Sequence, residues 1–429
     1  MKDVSKLTVC FADHGIFLPL ALKLGERFKR VLYHTPWEQS FPTVNDCIIG
    51  DGFEQIERCD DIWKVKSEVD LFLFPDIMHG GLQLELESQG FPVWGSRRAD
   101  TLEMNREKFH NLLDGLKMDV PSYVVKVGTT ALAEHLKTAE DKVIKVSKFR
   151  GSIETCKWRN WAVDQNMVDA WAVQFGQAKE LIRFLVFDVI DTDIELGCDT
   201  FNIRGQWPKR MIQGYEAKDS GFLSSVRDRD EMPPQVQEVL EKFGPILEGF
   251  RYANSFSMEI RVKGDKSYFI DPCTRWPMPP TGSKTELWGN LAEVIAAGAE
   301  GVLEEPQETE PFAAELAVKL CGDKKEWRCT EVPCELRQWL KFSNCCQIDG
   351  RICFPPLEFS EDKVGWLVAI GSTIDETVQT LLERVEALPP GLTADVSPLA
   401  ELLEQIHSAE AQGIEFSEDK VPPPESVLA

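Results

Sequence analysis

The sequence has no run of eighteen apolar residues, so it offers no membrane-spanning helix. Its opening residues lack the long apolar core and small-residue cleavage site of a secretory signal, and the chain reads as cytoplasmic. Basic residues are in short supply: Lys and Arg number 47 against 71 Asp and Glu, a net charge of −24. That balance excludes the broad basic surface a nucleic acid needs and the basic stripe of a membrane-surface helix. One small anion site stays open, because the potential of a pocket is set by its own few groups. There is no C-x-x-C, so the usual zinc spacing is missing. The twelve cysteines are irregularly spaced, six of them between Cys321 and Cys353, and read as free, mostly buried thiols. There is no Walker A glycine loop and no internal repeat.

What is there is an ordinary globular composition, 43% hydrophobic and 28% charged over 429 residues, enough for two or three domains. Apolar runs at Leu7–Phe11, Val31–Tyr33, Cys47–Ile49, Leu71–Phe74 and Phe91–Trp94 alternate with helical patterns at Leu18–Phe28 and Gly81–Gln89. Such alternation predicts a doubly wound parallel sheet, with ligands at the carboxyl ends of its strands. Asp13, His14 and Asp76 follow such ends, although turn and cap roles explain each of them singly. Further strands are expected at Ser122–Val127, Val143–Val146, Leu181–Val189 and Ile194–Phe201. Helices are expected from about Asp100 and Thr130, over Gln235–Gly249 and over Leu287–Ala299. Past residue 312 the pattern gives strands near 335–340 and 364–370, helices near 374–387 and 397–410, and a loose tail.

Four local features carry chemistry. Lys145 ends a short strand and leads into a loop in which Ser147, Gly151 and Ser152 supply backbone N–H groups for phosphates. Asp188 is followed seven residues later by Glu195; a carboxylate accepts both hydroxyls of a ribose, and the backbone between, around Ile190, reads an adenine edge. Lys218, after Gly214-Tyr215-Glu216-Ala217, stands near a loop from which a lysine reaches a terminal phosphate. For each of these three an ordinary surface loop or lysine is the competing reading. Glu259 and Asp271 lie in two strands joined by the turn Lys263-Gly264-Asp265-Lys266. Pairing them sets like charges close together, for which a divalent cation is the natural reason. Arg275, four residues past Asp271, is placed to hold an anion nearby.

In this order the features resemble the ATP-grasp superfamily of carboxylate–amine ligases. The resemblance runs from about residue 5 to about 410 and is greatest to glycinamide ribonucleotide synthetases, with local similarity to D-alanine–D-alanine ligases. Lys108 stands thirteen residues before Pro121, the spacing of the superfamily's first ATP-phosphate lysine, and Lys145 matches the second. The loop Lys148–Thr155 is similar to the flap over the phosphates, and Asp188 and Glu195 to the hinge acid and the ribose-binding glutamate. Tyr215-Glu216-Ala217-Lys218 looks like the stretch whose lysine approaches the γ-phosphate. Glu259 and Asp271 fall on the magnesium carboxylates, and Arg275 closes the E-x-N-x-R signature.

The resemblance implies an α/β and α+β protein with the ATP-grasp fold. Residues 1–98 would form an N-terminal doubly wound parallel-sheet domain, and 99–305 the ATP-grasp unit with a lid at about 120–190. Residues 306–412 would form a small C-terminal α+β domain, and 413–429 a flexible tail. It implies ATP and Mg²⁺, with Mn²⁺ as the alternative ion, and a carboxylate and an amine as small-molecule substrates. No nucleic acid or membrane partner is implied, and the chain would be a monomer or homodimer. Arg275 and Lys218 would be catalytic. Two departures stand out. The signature reads Asp271-Pro272-Cys273-Thr274-Arg275, which puts a thiol, a poor Mg²⁺ ligand, where the metal-binding asparagine belongs. Trp276-Pro277-Met278-Pro279-Pro280-Thr281 and Ser220-Gly221-Phe222-Leu223 replace the synthetase's G-D-P-E-T-Q and G-G-M-G, so the acceptor is expected to differ from phosphoribosylamine. The alternatives are a nucleotide-binding protein of this fold without ligase chemistry and an acidic scaffold that binds no ATP.

Overall fold

The computed structural model describes residues 3–35, 48–77, 79–148, 154–192, 194–323, 325–356, 363–417 and 421–427. It divides into two compact units that interleave along the chain. One comprises Met1–Arg98, Leu196–Ser257 and Cys273–Ala429, the other Ala99–Glu195 and Met258–Pro272.

The first unit opens with a parallel sheet in the order Glu57–Arg58, Arg30–His34, Thr8–Ala12, Leu71–Leu73, Val93–Trp94. Its central strands Thr8–Ala12 and Leu71–Leu73 are buried on both faces, as parallel strands commonly are, and Cys10, Leu32, Phe72, Phe74 and Val93 lie in one core cluster. The helices Leu18–Gly25 and Gly80–Ser88 follow the first and fourth strands in chain order. The expected strand at Cys47–Ile49 is not formed: Ile48 and Ile49 lie in helical turn, Cys47 is outside the described residues, and the edge strand is Glu57–Arg58.

An antiparallel sheet follows, running Glu195–Ile203, Arg210–Ala217, Gly221–Asp228, Phe312–Leu320, Lys363–Gly371 and Leu340–Phe342. The strands Arg210–Ala217 and Gly221–Asp228 pair over their whole length, and neither was among the strands expected from the sequence. Gly214 is needed in that pair: a Cβ there would stand 2.1 Å from the Phe222 ring. The expected strand near 335–340 is a helical turn, Cys334–Arg337, followed by the strand Leu340–Phe342. The helices Ile374–Glu386 and Ser397–Glu410 form as expected. The loose tail does not hold for its described part. Ile414, Phe416 and Val421 are buried, Phe416 packs edge-on against Tyr215, and the Ser225 hydroxyl donates to the Phe416 carbonyl at 2.6 Å. Apolar residues too few to make a stripe still bury when a sheet face is open to them.

Among the cysteines, Cys10, Cys59, Cys156, Cys198, Cys345 and Cys346 are buried free thiols. The expectation of free thiols fails at one pair. Cys329 and Cys353 face each other across adjacent strands of a three-stranded sheet and form a disulfide.

The second unit is built on a four-stranded sheet in the order Tyr123–Val127, Arg183–Asp188, Lys142–Val146, Thr155–Trp158. The helices Thr129–Leu136 and Trp161–Phe175 cover it over a core of Leu132, Leu136, Ile144, Val146, Trp158, Val168, Trp171, Phe184 and Val186. The helix expected from Asp100 is two helices, Asp100–Met104 and Arg106–Gly115, with Asn105 capping the second. The hairpin Ala253–Lys263 and Lys266–Cys273 forms as expected. Gly264 at its turn has φ 61°, a left-handed value that costs glycine nothing.

Candidate active site

The second unit gathers a compact set of charges. The Asn105 side chain accepts from the Lys108 N–H at 3.2 Å and so fixes the start of the helix Arg106–Gly115. This sets Arg106 at the first helical position, buried, with its guanidinium 2.7 Å from Asp271 Oδ1 and 3.3 Å from Glu154 Oε1. The Lys145 ammonium, at the end of the strand Lys142–Val146, stands 2.5 Å from Asp271 Oδ2 and 3.2 Å from the Ile270 carbonyl. Arg106 is 4% exposed and Lys145 10%, against 27% for Asp271, so the cations form the floor and the carboxylate faces outward.

His110, one turn along the same helix, is buried among Phe109, Tyr123 and Phe187. Burial, and then the nearby Lys145 and Arg106 charges, pull its imidazole down to about 3. It is therefore a neutral neighbour that adds no third cation. The Ser147 hydroxyl is buried with no hydrogen-bond partner among the described residues. Its N–H donates to the Arg183 carbonyl, and Lys148, at φ 61°, turns the chain away. Gly151 and Ser152 lie outside the described residues.

A second group forms where the unit's sheet ends. Glu195 accepts from the Arg261 guanidinium at 2.9 and 2.7 Å, and Arg261 also lies 3.4 Å from the Ile190 carbonyl. Asp188 is exposed and pairs with Lys142 at 2.7 Å, which holds its carboxyl below the usual range. The structure thus brings Glu195 and Ile190 together on Arg261, a residue the sequence reading did not single out.

No protein-family model and no curated protein matches the sequence. Solved structures do. A phosphoribosylamine–glycine ligase from Thermotoga maritima superposes with a TM-score of 0.65 at 13% identity, over 90% of this chain and 99% of that one. An L-amino acid ligase from Bacillus licheniformis gives 0.61 at 13%, over 92% and 99%. A biotin carboxylase from Campylobacter jejuni, solved as a β-γ-ATP complex, gives 0.60 at 12%, over 90% and 92%. The fold is ATP-grasp.

Lys145 lies near the end of the strand Lys142–Val146, and the cation that shares Asp271 with it is Arg106. Lys108 is exposed on the same helix. Arg106 and Lys108 stand two positions apart, and a spacing count across a helix broken at Asn105 cannot tell a buried first-turn residue from an outward one. The cap itself was the missing signal: Asn followed by Arg at the first helical position. Lys218 is exposed in the turn between Arg210–Ala217 and Gly221–Asp228, and Arg275 lies 3.6 Å from Asp76; both belong to the first unit.

Glu259 and Asp271 are both carried by the hairpin. Their oxygen donors suit Mg²⁺, which needs one or two protein carboxylates and fills its other positions with phosphate and water. The Cys273 thiol does not suit it. Among the described residues no group of three His, Cys, Asp or Glu is arranged to hold a metal. Both oxygens of Asp271 already face cations, so a metal ion there competes with Arg106 and Lys145 unless phosphate draws those two away.

Proposed function

We propose that the chain is an ATP-dependent ligase that joins a carboxylate to an amine through an acyl phosphate. The observation that carries this reading is the pair Arg106 and Lys145, two buried cations held 2.7 and 2.5 Å from one carboxylate within an ATP-grasp unit. Buried cations aimed at one point are a preorganised anion site, and they act most strongly where water is excluded. A triphosphate offers both of them more oxygen acceptors than Asp271 does. Glu195 and Ile190 would hold the ribose and the adenine edge, and Ser147 with the loop beyond it would cover the phosphates. Glu259 and Asp271 would hold Mg²⁺ or Mn²⁺, which supplies charge neutralisation on the phosphates when bound. Lys218 and Arg275 are assigned by resemblance, to the terminal phosphate and to the acyl phosphate.

Chemistry of this kind needs no side-chain nucleophile. The substrate carboxylate attacks the γ-phosphorus, ADP leaves, and an amine then displaces phosphate from the acyl carbon. Positioning and electrostatics supply the rate. Calorimetric titration with Mg-ATP and an ADP-release assay over carboxylate and amine panels test the reading. Mg-ATP binding at micromolar concentration that is lost in Lys145→Ala, with ADP release on one pair of substrates, is the expected result.

One observation favours a second reading, a nucleotide-binding protein of this fold without ligase chemistry. Asp271 is bridged by two cations, and Cys273 follows where an oxygen or nitrogen donor is expected. Mg-ATP binding with no ADP release on any pair of substrates supports this reading and removes the first.

A further inference from the structure

Three cysteines of the first unit stand in one row. The small antiparallel sheet that holds them is ordered Arg328–Thr330, Arg351–Phe354, Cys346–Ile348. Cys353, in the middle strand, is the direct partner of Cys329 on one side and of Cys346 on the other. Direct partners across a sheet put their side chains on the same face, so all three side chains share one face. Cys329 and Cys353 form the disulfide, and Cys346 is a free thiol. The row runs from solvent inward: Cys329 is exposed, Cys353 is 2% exposed and Cys346 is fully buried.

Cys346 is held against the bridge. Its sulfur lies 3.5 Å from the Cys353 carbonyl oxygen. The chain on both sides of it is fixed. The Gly50 N–H donates to the Cys345 carbonyl at 2.9 Å, and the Gln347 N–H to the Asp51 carbonyl at 2.8 Å. Because the middle strand lies between the other two, Cys346 and Cys329 stand on opposite sides of Cys353. That is the arrangement exchange requires of an entering and a leaving sulfur. Burial raises the Cys346 thiol to about 11, so little of it is thiolate at neutral pH. The exchange therefore falls in the range of uncatalysed disulfide rearrangement, about minutes to hours.

We propose that Cys329 is a modification site for small-molecule disulfides, freed when the bridge passes from Cys329–Cys353 to Cys346–Cys353. Cys346 gives its proton to solvent, its sulfur bonds to that of Cys353, and the Cys329–Cys353 bond breaks. Cys329 leaves with the electron pair. One thiol and one disulfide stand before and after, so no oxidant is used. The freed Cys329 sulfur then attacks a small disulfide such as glutathione disulfide, forms a mixed disulfide with one half and releases the other as a thiolate. The third cysteine keeps the sheet cross-linked while the exposed one reacts.

Disulfide mapping by mass spectrometry tests this on the full chain, oxidised with diamide and freed of it. Trypsin separates the three cysteines into the peptides 329–337, 342–351 and 352–363, because Arg328, Lys341 and Arg351 precede them. With N-ethylmaleimide present over hours, Cys329 of the native chain should become alkylated while 342–351 is found bridged to 352–363. Glutathione disulfide in place of the maleimide should leave glutathione on Cys329 with the same bridge. Cys321 and Cys334 are exposed free thiols that react without exchange, and they give the reference rate. Cys346→Ser should slow the labelling of Cys329 by about tenfold or more, since the entering sulfur is gone, and Cys345→Ser should not. In Cys329→Ser the bridge should form between Cys346 and Cys353. The proposal is overturned by a Cys329 that stays unlabelled in the native chain, by equal labelling in Cys346→Ser, or by a Cys353 that takes no partner on oxidation. No readout uses nucleotide, so the outcome is independent of the ligase reading.

Discussion

Arg106 carries a prediction that separates geometry from sequence spacing. It is buried, touches Asp271 and Glu154, and starts a capped helix, whereas Lys108 is exposed two residues on. Arg106→Ala is expected to weaken Mg-ATP binding at least tenfold by calorimetry, and Lys108→Ala to cost far less; the reverse order would restore the lysine assignment. Removing Arg106 also strands part of the Asp271 charge, so some loss of thermal stability should accompany the loss of binding. The strand placement of Lys145, Glu195 and Asp271 was legible, because a residue's place near a strand end follows from a period of two. Arg106 and Arg261 were not. Each is defined by a partner distant along the chain, and a single sequence records no such partners.

At the level of elements the four-stranded sheet of the second unit depends on one aromatic anchor. Trp171 is fully buried in the helix Trp161–Phe175 and packs at 5.4 Å on Phe184 of the sheet. Trp171→Ala is expected to cost about 3–5 kcal/mol, read as a lowered denaturation midpoint. Asn105→Ala removes a helix cap, at about 0.5–2 kcal/mol, and should weaken Mg-ATP binding as well, because the same cap sets where Arg106 begins. Loss of stability with unchanged affinity would detach the cap from the site. The helix Trp161–Phe175 was itself missed in the sequence. It buries only Asp164, Val168 and Trp171 and leaves Val163 50% and Val173 82% exposed, so its apolar residues form no single stripe to read. The parallel strands and the hairpin were found because turn residues punctuate them.

For the whole molecule, pH acts through carboxyls that burial raises. Glu315 lies in the centre of the antiparallel sheet, accepts from the Ser283 N–H, and has its carboxyl raised by burial from 4.5 to about 7. An acid raised in the folded state holds its proton there after the unfolded chain has lost it. Its contribution is complete below about 4.5 and is lost as pH rises through about 7. Glu315→Gln keeps the shape and the acceptor without the charge. Denaturation at pH 5 and pH 8 should show the variant gaining on the native chain at the higher pH, by on the order of a few kcal/mol. An equal difference at both values would remove Glu315 as the source.

The interleaved chain has a consequence for how the protein is made. The second unit takes Ala99–Glu195 first and is completed only by Met258–Pro272. During synthesis the sheet and helices of Ala99–Glu195 can close on a core of their own, with Glu154 already beside Arg106, but Asp271 comes only with the later segment. From Lys145 to Asp271 the ribosome adds more than a hundred residues, so over that stretch the lysine stands without the carboxylate that neutralises it in the finished unit.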